Sequence, residues 1–258
     1  MSAMTEGTGK VALVTGASRG IGRAVARELA TRGFTLYLVA ESTRAELEAV
    51  AAECKAAHPR HAEAQHGLFD LEGAAAPALA AAAALQALGR IDVLVNNAGM
   101  RIRHPFGEFS AAEFDKVVAV NLRSAFLLSQ SVLPAMRAQK AGRIIFMASQ
   151  LGMVADPGAA LYGLTKAALI SLARSMAFEL APEGIIVNAV SPGPIATDYY
   201  KARLDREPEL LKQRLEAIPA GRLGTEAEIA EVIAFLATTS ATFIQGHNLV
   251  VDGGFVIH

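Results

Sequence analysis

KVALVTGASRGIG, residues 10–22, decides the fold. Lys10–Thr15 is a short apolar run of the kind that forms a strand buried on both faces. Gly16 follows at once, and Gly16, Gly20 and Gly22 make a G-x-x-x-G-x-G turn. A helix is expected from that turn to about Arg32. A glycine turn alone is a moderate signal. Between a strand and a helix it reads as the first βα unit of a dinucleotide-binding fold. The missing side chains let the backbone approach a pyrophosphate, whose charge sits at the helix N-terminus.

Composition sets the frame for this unit. The chain has 258 residues, 52% of them apolar, and a net charge of −1. That suits one large α/β core across residues 1–258, with no linker to divide it. No basic patch is present of the size nucleic acid requires. The one cysteine, Cys54, excludes an internal disulfide and a multi-cysteine metal site. His58, His61 and His66 are scattered, so no metal is expected. Residues 1–9 are small and polar without an apolar signal core, which points to the cytoplasm. The longest apolar stretch, Ala74–Leu88, is too short to span a bilayer.

A second stretch carries chemistry: SQLGMVADPGAALYGLTK, residues 149–166. Ser149 ends the apolar run Arg143–Ala148. Tyr162 and Lys166 fall one turn apart on one face of a predicted helix over Leu161–Leu180. A phenol with a pKa of about 10 is a poor base at neutral pH. A nearby ammonium favours the phenolate and makes it a better proton-transfer group. Lowering that pKa by roughly three units needs about 4 kcal/mol of differential interaction. Ser149, at a strand end, is placed to hydrogen-bond a substrate oxygen.

The remaining elements read in order. Strands are expected at Phe34–Val39, before Asp70, at Ile91–Val95, at Ile185–Val190 and at Phe243–Val251. Helices are expected at Thr43–Ala57, from the Ser110/Glu113 capping box toward Leu133, and at Glu226–Thr238.

Five motifs occur in sequence: TGASRGIG at 15–22, NNAG at 96–99, Asn121 in VNL, the Ser149/Tyr162/Lys166 set, and PGPIAT at 192–197. Together they resemble the short-chain dehydrogenase/reductase family over about residues 8–254. The resemblance implies a single Rossmann-type, doubly wound domain with a parallel sheet of about seven strands in the order 3-2-1-4-5-6-7. It implies a catalytic tetrad of Asn121, Ser149, Tyr162 and Lys166. There Tyr162 passes the proton, Lys166 lowers its pKa and holds the ribose, and Asn121 distorts its helix and holds a relay water. Cofactor contacts are implied for Gly16, Ser18, Arg19, Gly20, Ile21 and Gly22 in the turn. They are implied also for Asp70 at the adenine amino group, which doubles as a candidate helix N-cap, and for Leu71. Further contacts are implied for Asn96, Ala98, Gly99, Pro192, Gly193, Ile195 and Thr197, with Asn97 as a structural residue. Arg101, Gln150 and Tyr199 are substrate candidates, and residues 194–223 form the substrate lid. The loop holding Arg101, Arg103 and His104 either meets an anionic substrate group or is simply solvated. The family also implies a homotetramer or homodimer.

Cofactor choice is divided. Glu41, about twenty residues after the glycine turn, suits a ribose-binding acid and opposes a 2′-phosphate. Arg19, with Ser42 and Arg44, favours NADP. The balance leans to NAD. The expected activity is hydride transfer between nicotinamide and a carbonyl or secondary alcohol. A 3-oxoacyl-thioester reductase using NADPH and a sugar or polyol dehydrogenase are the alternatives. An enoyl reductase is disfavoured, because those relatives space Tyr and Lys more widely. A cofactor-sensing or scaffold protein on the same fold is the non-enzyme rival.

Overall fold

In β1, Val11–Thr15, alternate side chains enter two separate cores. Ala12 and Val14 pack into one, and Leu13 into the other. The period of two seen here is that of a strand covered on both faces. A computed structural model describes residues 7–41, 43–57 and 64–257. Ser42, His58 and His61 lie outside the described residues.

The chain continues through α1 (Gly20–Thr31), β2 (Thr35–Ala40), α2 (Arg44–Ala57), β3 (Ala64–Leu68) and α3 (Ala76–Leu88). Then come β4 (Val93–Asn96), α4 (Ala111–Val118), α5 (Ser124–Gln139), β5 (Gly142–Met147) and α6 (Ala160–Leu180). It ends with β6 (Ile185–Pro192), α7 (Asp198–Leu204), α8 (Pro208–Ala217), α9 (Glu226–Thr238) and β7 (Asn248–Val251). The described strands form one parallel sheet of seven in the order β3-β2-β1-β4-β5-β6-β7. The expected fold class and strand order hold. One face is covered by α1, α2 and α9, the other by α3, α5 and α6.

Strand order reverses between β1 and β4, which is where open α/β sheets bind ligands at the carboxyl ends. Hydrogen bonds join the two strand ends there. Thr15 Oγ1 accepts from the backbone N–H groups of Asn97 and Ala98, both at 3.0 Å. Asn97 Nδ2 donates to the carbonyls of Thr15 (2.9 Å) and Gly16 (3.1 Å). Asn97 is structural, as expected. The glycines make this closeness possible. A Cβ on Gly16, whose φ is +62°, would meet Ala98 Cα at 2.9 Å, and one on Gly22 would meet the Gly16 carbonyl oxygen at 2.1 Å.

Three expectations are corrected. The helix begun by the Ser110/Glu113 capping box runs past Leu133 to Gln139, with Pro134 inside it and a π turn at Ala119–Arg123 dividing α4 from α5. This Ala111–Gln139 run is long and apolar enough to cross a membrane by length and composition. Its buried Leu128, Val132 and Met136 pack on the sheet. The last strand spans only Asn248–Val251. Before it, the Gln245 side chain does the work of a strand, accepting from Val187 N at 2.7 Å and donating to Ile185 O at 2.9 Å. Asp70 does not cap α3, which begins six residues later at Ala76. Its carboxylate accepts from Glu72 N at 2.9 Å and closes a local turn.

Asn97→Ala leaves the Thr15 and Gly16 carbonyls without their partner. It is expected to cost about 1–3 kcal/mol of stability in urea unfolding, and a cost below about 0.5 kcal/mol would contradict the role given to this joint.

Candidate active site

At the end of β5 the chain turns through Ser149, whose Oγ accepts from Leu151 N at 3.2 Å and starts a single 3₁₀ turn. Tyr162 and Lys166 lie in the first two turns of α6. Lys166 is 3% exposed, and its Nζ donates to the Met147 carbonyl at 2.7 Å. The same Nζ stands 5.4 Å from the centre of the Tyr162 ring. Ser149 lies near enough to Tyr162 to pull the phenol pKa down. Ser149, Tyr162 and Lys166 therefore converge as the sequence predicts.

Asn121 sits in the π turn, fully buried. Oδ1 accepts from Met100 N at 2.8 Å, and Nδ2 donates to Met100 O at 2.9 Å and to Thr165 Oγ1 at 3.1 Å. Thr165 in turn donates to the Tyr162 carbonyl at 2.8 Å. The helix distortion expected at Asn121 is present. The side chain itself clamps the loop after β4 to α6.

Burial governs the charges here. Desolvation lowers the Lys166 ammonium from 10.5 to about 8. It also pushes the Tyr162 phenol up, while the Arg101 guanidinium and Ser149 pull it down. Burial wins for these side chains, so the expected lowering of the phenol is not reached by the protein groups alone. The cation that opposes it most is Arg101 rather than Lys166. Arg101 Cζ lies 5.0 Å from the Tyr162 ring centre.

Arg101 belongs to a cluster that the sequence only half revealed. Arg101 and Arg103 both bond Asp156 Oδ2, and Arg214 of α8 bonds Oδ1 at 2.5 Å. Arg103 also donates to the Pro157 carbonyl at 2.6 Å. Burial pushes the Asp156 carboxyl up, but Arg214 and Arg103 outweigh it and keep the group below the ordinary carboxylate range. The loop is thus neither free nor solvated. Asp156, Thr165 and Arg214 were not anticipated. An Asp before Pro-Gly and an Arg in a polar helix carry no signal of this meeting in sequence. His104, also of that loop, faces Glu113 at 2.8 Å.

The expected cofactor residues divide. The glycine turn leads into α1, whose N-cap Arg19 makes no side-chain cap, and no acidic residue lies in the first turn. Its first N–H groups and dipole fit a phosphate. A Cβ on Gly20 would have nothing within 3.9 Å, so the turn is open on that side. Ser18, Ile21, Ala98, Gly193 and Thr197 are partly exposed along the same edge, and Arg19, Glu41 and Gly99 are exposed. Pro192 and Ile195 are buried beneath them. Others point elsewhere. Asn96 is buried and donates to Ser129 Oγ at 3.1 Å, which ties β4 to α5. Leu71 packs into the core beside Tyr37 and Val39. Among the substrate candidates, Gln150 is 4% exposed with no partner for Oε1 among the described residues. Tyr199 is 69% exposed.

Comparison with known proteins agrees with this layout. A family model described as enoyl-(acyl carrier protein) reductase matches residues 16–256. The chain is 40% identical to the 3-oxoacyl-(acyl-carrier-protein) reductase FabG of Staphylococcus aureus (strain N315), over 95% of this chain and 97% of that one. It superposes on a short-chain dehydrogenase/reductase from Serratia marcescens BCRC 10948 with a TM-score of 0.89, at 36% identity, covering 96% and 98% of the two chains. A putative NAD(P) dependent gluconate 5-dehydrogenase from Beutenbergia cavernae, with bound NADP at low occupancy, gives a TM-score of 0.91 at 35% identity over 98% and 100%. The chain belongs to the short-chain dehydrogenase/reductase family and is an NAD(P)-dependent oxidoreductase.

Proposed function

We propose that Tyr162 is the proton donor and acceptor in reversible reduction of a carbonyl to a secondary alcohol. The observation that carries this is the Tyr162 side chain, set beside Ser149 and flanked by two cations, Lys166 and Arg101. A bound nicotinamide supplies or accepts the hydride. Ser149 steadies the substrate oxygen, and Tyr162 gives it the proton as negative charge develops there. Lys166 and Arg101 favour the phenolate that remains. Asn121 is a positioning residue, holding Met100 and Thr165 in place around the pair. The glycine turn and the N-terminus of α1 take the pyrophosphate.

For the cofactor we favour NAD. Its support is Glu41, an exposed carboxylate at the end of β2 that repels a 2′-phosphate. The competing reading, NADP, is favoured by exposed Arg19 and by the NADP bound to the gluconate dehydrogenase relative. Residues 194–223 act as a lid over the site, supported by the Arg214–Asp156 bridge and by buried Leu204 and Ile218. The enzyme works in the cytoplasm as a homotetramer or homodimer. Exposed Phe114, Phe126 and Phe178 on α4, α5 and α6 support such an assembly.

Tyr162→Phe is expected to lower kcat by about 100-fold or more, with cofactor affinity changed by less than about threefold. Absorbance assays and fluorescence titration separate the two, and undiminished turnover would sink the assignment. NADH is expected to bind more tightly than NADPH, and Glu41→Gln to shrink that preference by about tenfold, or 1.4 kcal/mol. Tighter NADPH binding in the wild type would transfer the choice to Arg19. Lys166 is protonated up to about pH 8 when folded and up to 10.5 when unfolded. Between these values the unfolded state holds the extra proton, so stability rises with pH. Relative to Lys166→Met, the wild type should gain about 2 kcal/mol from pH 8 to pH 10 in urea unfolding. A flat difference would show the ammonium is not desolvated.

A further inference from the structure

One carboxylate overhangs the turn that takes the pyrophosphate. Gly20 is the first residue of α1. The atoms nearest to where its Cβ would stand are Glu226 Oε1 at 3.9 Å and Thr197 Cγ2 at 4.0 Å. Glu226 is the first residue of α9, which packs on α1, and it is half-buried. Its carboxylate has no hydrogen bond or ion pair among the described residues. The cations nearby are already engaged. Arg23, one turn into α1, donates to Glu53 of α2 from Nε at 2.9 Å and from Nη2 at 2.5 Å. Lys201 of α7 stands 4.0 Å from Asp198. On α9 itself, Glu228 pairs with Arg222 and closes the capping box with Thr225. An acid in the first turn of a helix is ordinarily favoured as its anion by the helix dipole. The Glu226 carboxyl is nevertheless held above the ordinary carboxylate range, first by burial and then by the Asp198 carboxylate, which outweigh Lys201 and Arg23.

We propose that Glu226 is a determinant of cofactor binding: its carboxylate opposes the cofactor pyrophosphate at the start of α1 and takes up a proton when the pyrophosphate docks. The inference rests on the placement of the pyrophosphate given above and adds the residue that limits its affinity. The N-terminus of α1 and its free N–H groups attract the phosphates. A carboxylate beside the same turn repels them, and in a partly desolvated place that repulsion is felt more strongly than in water. Two like charges brought together favour the protonated form of the one that can take a proton. Glu226 already holds its proton more firmly than an ordinary carboxyl, so the added phosphates drive it to the acid form. The proton comes from the solvent, adds to the carboxylate and returns to the solvent when the cofactor departs. No covalent step is involved. The cofactor is therefore held more weakly, and released more readily, as pH rises. A cofactor that acts as a co-substrate must leave after each turnover, and this carboxylate favours its departure.

Calorimetric titration of NAD into the full-length protein, in two buffers of different ionisation enthalpy, counts the protons taken up. Near pH 6 the wild type is expected to take up about half a proton or more per cofactor bound, and Glu226→Gln less than about a fifth. The bound state holds the extra proton, so affinity rises as pH falls. From about pH 8 to about pH 5 the wild-type Kd should fall by about tenfold, or 1.4 kcal/mol. In Glu226→Gln it should stay level, near the tight wild-type value found at the low end. Glu226→Ala is a second variant with the same expectation should the first fail to fold. ADP-ribose, which keeps the pyrophosphate and lacks the nicotinamide ring, should show the same uptake. Uptake with NAD alone would place the effect at the ring and overturn the proposal. So would an equal proton count and pH slope in wild type and variants, or weaker cofactor binding by the variants at pH 8. If NADP is the cofactor that binds, the same comparison is made with it, and the variant cancels the titration of its 2′-phosphate. If neither cofactor binds the wild type, the cofactor reading fails and the proposal with it. Binding that is the same in wild type and variants leaves that reading standing and overturns the proposal alone.

Discussion

One buried ammonium organises the site. Lys166 is held by the Met147 carbonyl at the end of β5, so the first turns of α6 are fixed against the carboxyl edge of the sheet. From that contact the rest follows by short links. Tyr162 lies one turn earlier on the same helix face. Thr165, the neighbour of Lys166, takes a hydrogen bond from Asn121, and Asn121 grips Met100 on both its N–H and its carbonyl. The loop leaving Met100 carries Arg101 and Arg103 to Asp156, and Asp156 receives Arg214 from α8. A single chain of polar contacts therefore runs from the sheet edge to the helix over the site.

The electrostatics of that chain are one-sided. Arg101, Arg103 and Arg214 bond Asp156, and Lys166 and Arg101 flank the Tyr162 ring. Desolvation weakens the hold of Lys166 on its own proton and raises the Tyr162 phenol. The surrounding cations oppose the second effect. These cations favour an oxygen gaining negative charge during reduction, while burial keeps Tyr162 as the phenol that can give up its proton. The π turn that holds Asn121 is the structural device that allows it. By interrupting the helix from Ala111 to Gln139, it turns one buried amide toward Met100 and Thr165 without breaking the packing of Leu128, Val132 and Met136.

The fold and the meeting of Tyr162 with Lys166 were legible because they are written locally. An apolar run followed at once by Gly16, Gly20 and Gly22 fixes strand, turn and helix. Tyr162 and Lys166 at a spacing of four need only a helix to meet. The Ser110/Glu113 capping box forms as the sequence predicts. What the sequence does not carry depends on distant partners. Ser129, thirty-three residues on, claims the Asn96 side chain. Asp70 was read as a helix cap, but α3 starts too late for it. Phe243–Val251 was read as one strand, yet the Gln245 amide takes the place of backbone pairing for part of it. The arginine cluster was hidden for the same reason. Asp156 and Arg214 lie fifty-eight positions apart and meet only because α8 folds back over the loop before α6.

The most direct test of the account follows the hydrogen itself. Reduction of a carbonyl substrate with nicotinamide cofactor carrying two deuteriums at C4 of the ring, in ordinary water, separates hydride from proton. The account predicts alcohol with deuterium on the carbinol carbon, delivered in one stereochemical sense, and a solvent proton on the oxygen. It also predicts that Tyr162→Phe slows formation of that product without moving the label. Alcohol formed without deuterium on carbon, or with label scrambled between faces, would contradict direct transfer in a site ordered by Lys166, Tyr162 and Ser149.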